Sequence, residues 1–251
     1  MKTISRSKRF LPASAGVAML SLALGILMLT GEAASAMPQG GYTVQNVPGG
    51  TIQGKLLWAG KPQRPRRIAV TVNPTACGRS MEMYDVRVEQ GGVVGAVVWL
   101  DNITHGKAFG FPKPVLDQKG CMFVPAVVLM KPGQLEVRNS DKVTHNVHII
   151  ARNNRSSNEM MAPGAPPAEL TLMHPENIVV RCDIHPWMQG NIIVAKNPYY
   201  VLSGPGGSFT LTDVPAGTYK LDVWQNKIGT KEQSVTVQAG KTTSVTFKLG
   251  G

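Results

Sequence analysis

The sequence is short of aromatic residues, of charge and of cysteine, and each shortage narrows what it can be. Phe, Trp and Tyr make up 6% of the 251 residues, so a core has to rest on Val, Ile, Leu and Ala. Charged residues are 16% against 43% hydrophobic, which excludes a disordered polyelectrolyte. Acids are scarce: 15 Asp+Glu face 26 Lys+Arg, a formal net charge of +11. The bases do not gather into a dense run interleaved with aromatics, so nucleic acid is not an expected partner. The most concentrated patch is Lys61-Pro62-Gln63-Arg64-Pro65-Arg66-Arg67, and its prolines suggest an exposed turn. Beyond the N-terminal segment, no stretch approaches the ~20 apolar residues of a spanning helix. No segment reads as a convincing helix, and no short-period repeat is present. Three cysteines raise the question of which one is unpaired.

What the chain does have is turn chemistry, with 27 Gly and 18 Pro. Its N-terminus reads as an export signal. Lys2, Arg6, Lys8 and Arg9 form a basic start, an apolar stretch runs from Phe10 to Leu29, and Ala34-Ser35-Ala36 supplies a small-residue cleavage pattern. Cleavage after Ala36 gives a periplasmic or otherwise exported product. The competing reading is an uncleaved membrane anchor, because the apolar stretch is long for a signal. Residues 37–251 keep 22 bases and 14 acids, about +8, which suits solubility or attraction to an acidic partner surface.

Residues 37–49 are Gly- and Pro-rich and read as a flexible lead-in. Short apolar or alternating bursts follow, each bounded by Gly, Pro or Asn. They are Thr51–Trp58, Arg67–Val72, Val93–Leu100, Met122–Met130, Gln134–Arg138, His145–Ala151, Ala168–Leu172, Asn177–Arg181, Gly190–Ala195, Gly207–Leu211, Thr218–Trp224, Ser234–Gln238 and Thr243–Leu249. Val93–Leu100 is apolar enough for one central strand buried on both faces. Arg152–Pro167 is polar and reads as a long loop. The expected class is all-β, built from sandwiches.

The most informative segment is Cys182-Asp183-Ile184-His185-Pro186-Trp187-Met188. A soft thiolate, an imidazole and a thioether lie within one turn-sized stretch after an expected strand. Copper suits that mixture, with two imidazoles and a thiolate in a trigonal set and a long axial Met. Zinc would draw on further Cys or His, and calcium or magnesium on oxygen. The second imidazole is expected from His145, at the strand entry Asn139-Ser140-Asp141-Lys142-Val143-Thr144-His145-Asn146-Val147. Strand alternation sends His148 to the opposite face. His105 and His174 read as solvated or loop residues, and Met160, Met161 and Met173 as candidates for transient copper capture.

Pro132-Gly133, Asn139 to Asp141, His145-Asn146-Val147 and Cys182 to Met188 together resemble the blue copper proteins of the plastocyanin and pseudoazurin type, over residues 119–195. The resemblance implies one copper ion held by His145, Cys182, His185 and Met188, with Asn146 tying the two ligand loops together. The two residues between His185 and Met188 are fewer than that family uses. A binuclear copper loop with the same His-x-x-Met spacing needs two cysteines, and only Cys182 is present. If Cys182 carries copper, Cys77 and Cys121 remain, either as a disulfide suited to an oxidising compartment or as two independent thiols.

The ends of the mature chain resemble the carboxypeptidase regulatory-like, transthyretin-type sandwich. Gly50-Thr51-Ile52-Gln53-Gly54 matches its opening, and Gly207–Leu211 with Val214-Pro215-Ala216-Gly217-Thr218-Tyr219 its close. A cupredoxin-like Greek-key domain at 119–195 is therefore expected between a first part (50–118) and a second part (196–251) of a regulatory-like sandwich. This combination looks like exported bacterial proteins labelled methylamine-utilisation or plastocyanin-like. The implied function is single-electron transfer with a periplasmic cytochrome or copper oxidoreductase. The exposed edge of His185 is expected to face that partner, with Trp187 beside it as a contact or packing residue. Copper delivery and a structural envelope sandwich are the other readings; an enzyme is not expected.

Overall fold

The computed structural model describes residues 41–250; the export segment, its cleavage point and the first residues of the lead-in lie outside the described residues. The fold is all-β, and its strands make two sandwiches around two separate cores. Among the described residues no helix is long and apolar enough to cross a membrane.

The two ends of the described chain build one sandwich. Gly49–Trp58 lies at the centre of one sheet, antiparallel to Ser208–Pro215 and parallel to Thr242–Leu249. The facing sheet runs Tyr200–Leu202, Val97–Leu100, Gly217–Gln225, Gly229–Val237. Period-two alternation puts Ile52, Leu56, Val98, Leu100, Leu221, Val223, Phe209 and Phe247 into the space between them. The second sandwich pairs a sheet of Phe123–Val124, Val115–Gln118, Gly133–Asn139 and Ala168–Leu172 with a sheet of Val127–Met130, Gln189–Val194, Glu176–Arg181, His145–Ile150 and Ser157–Met161. Its core is Leu116, Met130, Leu135, Val137, Val147, Ile149, Ile178, Val180 and Ile192, with Cys182 and Met188 at one end.

Several segments differ from the sequence reading. Val93–Leu100 is not one strand: Gly92–Val93 belongs to one sheet of the first sandwich and Val97–Leu100 to the other. The chain crosses at Gly95, whose φ of 77° lies in the left-handed region that glycine enters freely. Met122–Met130 divides in the same way about Pro125, so Phe123–Val124 and Val127–Met130 serve opposite sheets. A continuous apolar run is equally compatible with a doubly buried strand and with a chain crossing a core. Ser157–Met161, inside the segment read as a loop, pairs antiparallel with His145–Ile150. As the last strand of its sheet it is held by backbone bonds, with Asn158 and Glu159 exposed, so it lacks an apolar signature.

The borders shift too. Val115–Gln118, placed before the 118/119 border, pairs with Gly133–Asn139 in the second sandwich. The hairpin Arg66–Ala69 with Ser80–Met83 stands apart from both sandwiches' sheets. The single-turn helix Pro74–Cys77 lies at its tip, and Val70, Cys77 and Met81 pack against the second core.

Glu176 fastens one turn of this sandwich. Its carboxylate accepts the backbone N–H groups of Arg152, Asn153 and Asn154 and the Asn154 side-chain amide. Burial pushes the carboxyl up, but those donors more than offset it and hold it below its ordinary range. A depressed folded pKa means the contribution is present above the unfolded value of about 4.3 and is lost as pH falls through the folded value. Glu176→Ala should therefore cost about 1–2 kcal/mol at neutral pH. In urea denaturation the gap from wild type should close below about pH 4; a pH-independent gap would count against the carboxylate as its source.

Candidate metal centre

Three ligand-type side chains converge where the two ends of the second sandwich's inner strands meet. His145 opens strand His145–Ile150, while Cys182 and His185 lie on the loop between Glu176–Arg181 and Gln189–Val194. One ligand atom from each lies within 4.8 Å of the others. His145 Nδ1 is 2.9 Å from His185 Nδ1, and Cys182 Sγ is 3.7 Å from the latter. Both imidazoles are 0% exposed and Cys182 is 2% exposed. A second grouping of Cys121, Asp141 and His145 is not a ligand set, because the Cys121 sulfur is bonded to Cys77.

The far nitrogens of both rings are occupied. His145 Nε2 donates to Asp141 Oδ2 at 2.9 Å, and His185 Nε2 donates to Asn73 Oδ1 at 3.0 Å. These acceptors place the ring protons on Nε2 and leave both Nδ1 lone pairs directed inward. Two buried nitrogens 2.9 Å apart share a proton or a metal ion. Burial disfavours the His145 imidazolium, yet its interactions with Cys182 and Asp141 outweigh burial and raise its pKa. Burial and the neighbouring His145 charge lower His185. Burial pushes the Cys182 thiol up, but His145 and the backbone N–H groups of Asn146, His185 and Ile184 bring it below its ordinary value. The donor set is thus one cysteine sulfur and two imidazole nitrogens, all buried. That is the set a copper ion takes.

The other singled-out residues fall as follows. Met188 is wholly buried in the same core. Its backbone closes the ligand loop, with Cys182 N–H donating to Met188 O at 3.1 Å and Met188 N–H to His185 O at 2.9 Å. Asn146 Oδ1 accepts Asp183 N–H at 2.8 Å and lies 3.2 Å from Cys182 Sγ; its amide donates to Asn158 and Asp183. His148 faces outward and binds Asp183. His105 and His174 are remote from the ligand group: His105 pairs in a separate two-stranded sheet, and His174 N–H donates to Asn154. Cys77 and Cys121 form a disulfide.

One expectation is corrected. His185 has no exposed edge, because Asn73 covers its outer nitrogen. Trp187, expected as a contact or packing residue, is half-buried: its indole N–H donates to Cys121 O at 3.0 Å, and its ring meets His185 edge-on at 5.2 Å between centroids. Sequence reasoning gave no role to Asn73 or Asp141. The pairing of Cys77 with Cys121 was the available signal, since it draws the Asn73 turn toward residue 121.

The family model of the carboxypeptidase regulatory-like domain matches residues 188–250, a stretch that holds the last five strands of the first sandwich and Gln189–Val194 of the second. No curated protein matches the chain. Among solved structures, the chain is similar to a copper-containing nitrite reductase from Thermus scotoductus SA-01, at 24% identity over 36% of this chain and 24% of that one, with a TM-score of 0.31. It therefore spans about a quarter of that reductase's length. A purple cupredoxin from Nitrosopumilus maritimus matches at 19% identity over 33% of this chain and 99% of its own, TM-score 0.29. Amicyanin from Paracoccus versutus matches at 20% identity over 34% and 84%, TM-score 0.29.

Asn146 tests the local architecture without metal. Truncating it removes the acceptor of the part-buried Asp183 N–H and frees the thiol from its acceptor. Asn146→Ala should lower the stability of the metal-free protein by about 1–3 kcal/mol in urea denaturation. An unchanged midpoint would show that the two ligand segments are held together by other contacts.

Proposed function

We propose that this chain is an exported mononuclear copper protein that carries single electrons to or from a periplasmic redox partner. The observation that supports it is the buried convergence of Cys182 Sγ with the inward Nδ1 atoms of His145 and His185. His145, Cys182 and His185 would hold the ion, with Met188 as the candidate axial ligand. Bound copper would supply a one-electron couple. The protein's part is to keep the ligands where they are. Asp141 and Asn73 fix the two rings, Asn146 fixes the thiolate loop, and burial excludes water. Ligands held in this way change little between oxidation states, which favours electron passage. The same closure leaves a substrate no path to an open coordination position, so we assign no catalytic residue.

Export is supported by the N-terminal basic and apolar segment and by the Cys77–Cys121 disulfide, since such bonds persist in oxidising compartments. The surplus of bases suits a partner with an acidic face, such as a cytochrome or copper oxidoreductase. Copper delivery is less well supported. Met160 is 68% exposed while its neighbour Met161 is buried and accepts a hydrogen bond from Gln118, so the two thioethers face opposite ways and do not share a site.

The test is a visible spectrum of the mature protein on addition of copper(II). An intense thiolate-to-copper charge-transfer band, lost in Cys182→Ser, is the expected outcome. A colourless protein that binds only copper(I) would overturn electron transfer in favour of delivery.

A further inference from the structure

His185 is buried where the loop that carries it is not. Asp183 and Pro186 in the same loop are exposed, yet the imidazole between them is 0% exposed. What covers it comes from 112 residues earlier in the chain: Asn73, whose Oδ1 accepts His185 Nε2–H. Asn73 is in the left-handed region (φ 50°, ψ 46°) and caps the single-turn helix Pro74–Cys77, its carbonyl accepting the Ala76 and Cys77 N–H groups. Among the described residues, the hairpin behind it pairs with no other strand. A lone two-stranded hairpin is marginally stable in water, so its seating depends on what ties it down.

The tie is covalent and meets both imidazoles. Cys77 stands four residues from Asn73, the acceptor for His185. Its disulfide partner Cys121 donates its N–H to Asp141 Oδ2 at 2.7 Å, the same oxygen that accepts His145 Nε2–H. Gly120 N–H donates to the other oxygen of that carboxylate at 2.7 Å. One disulfide therefore joins the two groups that hold the outer nitrogens of the two histidines. The Cys121 carbonyl also receives the Trp187 indole, which packs against His185.

We propose that Asn73 is a positioning residue for His185, and that the Cys77–Cys121 disulfide is the clasp that keeps the Asn73 segment closed over the ligand group. With the clasp closed, His185 is orientated and sealed. Without the crosslink, as when both cysteines are replaced, the segment lifts and the ligands become accessible for metal entry and exit. The meaning of that access rests on the copper reading; the clasp itself does not.

The experiment separates the two. The metal-free full-length mature protein is treated with diethyl pyrocarbonate, and modification is read at each histidine by peptide mass spectrometry. Exposed His174 is the reactive reference and buried His145 the protected one. Three proteins are compared: wild type, Cys77→Ala/Cys121→Ala, and Asn73→Gly, which keeps the disulfide and tolerates the positive φ while removing only the side chain. Wild-type His185 should react as slowly as His145. It should react at least tenfold faster in the double variant and several-fold faster in Asn73→Gly, with His145 still protected in the latter. Because Asn73→Gly retains the crosslink, it decides the matter even where the double variant unfolds. His185 remaining as unreactive as His145 in both variants would overturn the proposal. In parallel, transfer of bound copper to a chelator should be at least tenfold faster from the double variant than from wild type; equal rates would refute the gating of metal exchange. If none of the proteins binds copper, the copper reading falls and the His185 reactivities still decide the clasp.

Discussion

Two buried imidazole nitrogens 2.9 Å apart, beside the buried Cys182 sulfur, are the constraint on which the site depends. Left alone the arrangement is costly, since buried acceptors without a donor lose their solvation and gain nothing. A proton shared between them relieves it. The arrangement persists because each ring is held from behind. Asp141 takes His145 and Asn73 takes His185, so neither ring can turn to hydrate its inner nitrogen without breaking a bond at the other side. Those two acceptors are in turn fixed by backbone donors and by a disulfide.

The second sandwich supplies the frame for this constraint. His145 is placed by the register of its strand against Ser157–Met161 and Glu176–Arg181. The strand Glu176–Arg181 also delivers Cys182, so thiolate and imidazole come from adjacent strands of one sheet. Asn146 bridges them, accepting Asp183 N–H while its amide reaches Asn158 and Asp183 on the outer face. The first sandwich adds no ligand. It is tied to the second through the returning chain, where Lys196 pairs with Asp101 at 2.5 Å and Asn197 donates to the Leu100 carbonyl at 2.9 Å.

What the sequence made legible was local. Period-two alternation showed in Gln134–Arg138 and Ala168–Leu172 because each has one face in the core and one toward solvent. The loop from Cys182 to Met188 was legible because soft ligands are rare and their spacing is short. What escaped was whatever depended on a distant partner. The apolar runs at Val93–Leu100 and Met122–Met130 carry no clear mark of where the chain changes sheets, since apolar residues stand on both sides of each crossing. Ser157–Met161 gains its strand from a neighbour's backbone and not from its own side chains. Asn73 escaped for the same reason in sharper form: an Asn before a Pro reads as a turn, and only the fold brings it to His185, 112 residues away.

Covering His185 changes the balance of what the site can do. An exposed ligand edge shortens the distance to a partner but admits water and competing ligands. A sealed one fixes the rings and lengthens the path. Here the sealing is asymmetric. On one side Asn73, Trp187 and the disulfide close over the imidazoles. On the other, the Cys182 thiol donates to Asn146 Oδ1, and the Asn146 amide donates to the partly exposed Asp183, which also binds His148 at the surface. The ligand group is therefore closed to molecules and still connected to the outer face of its sheet through bonds. Access to the ligand group is therefore set by the segment that carries Asn73 and not by the loop that carries His185, although that loop lies nearer the surface.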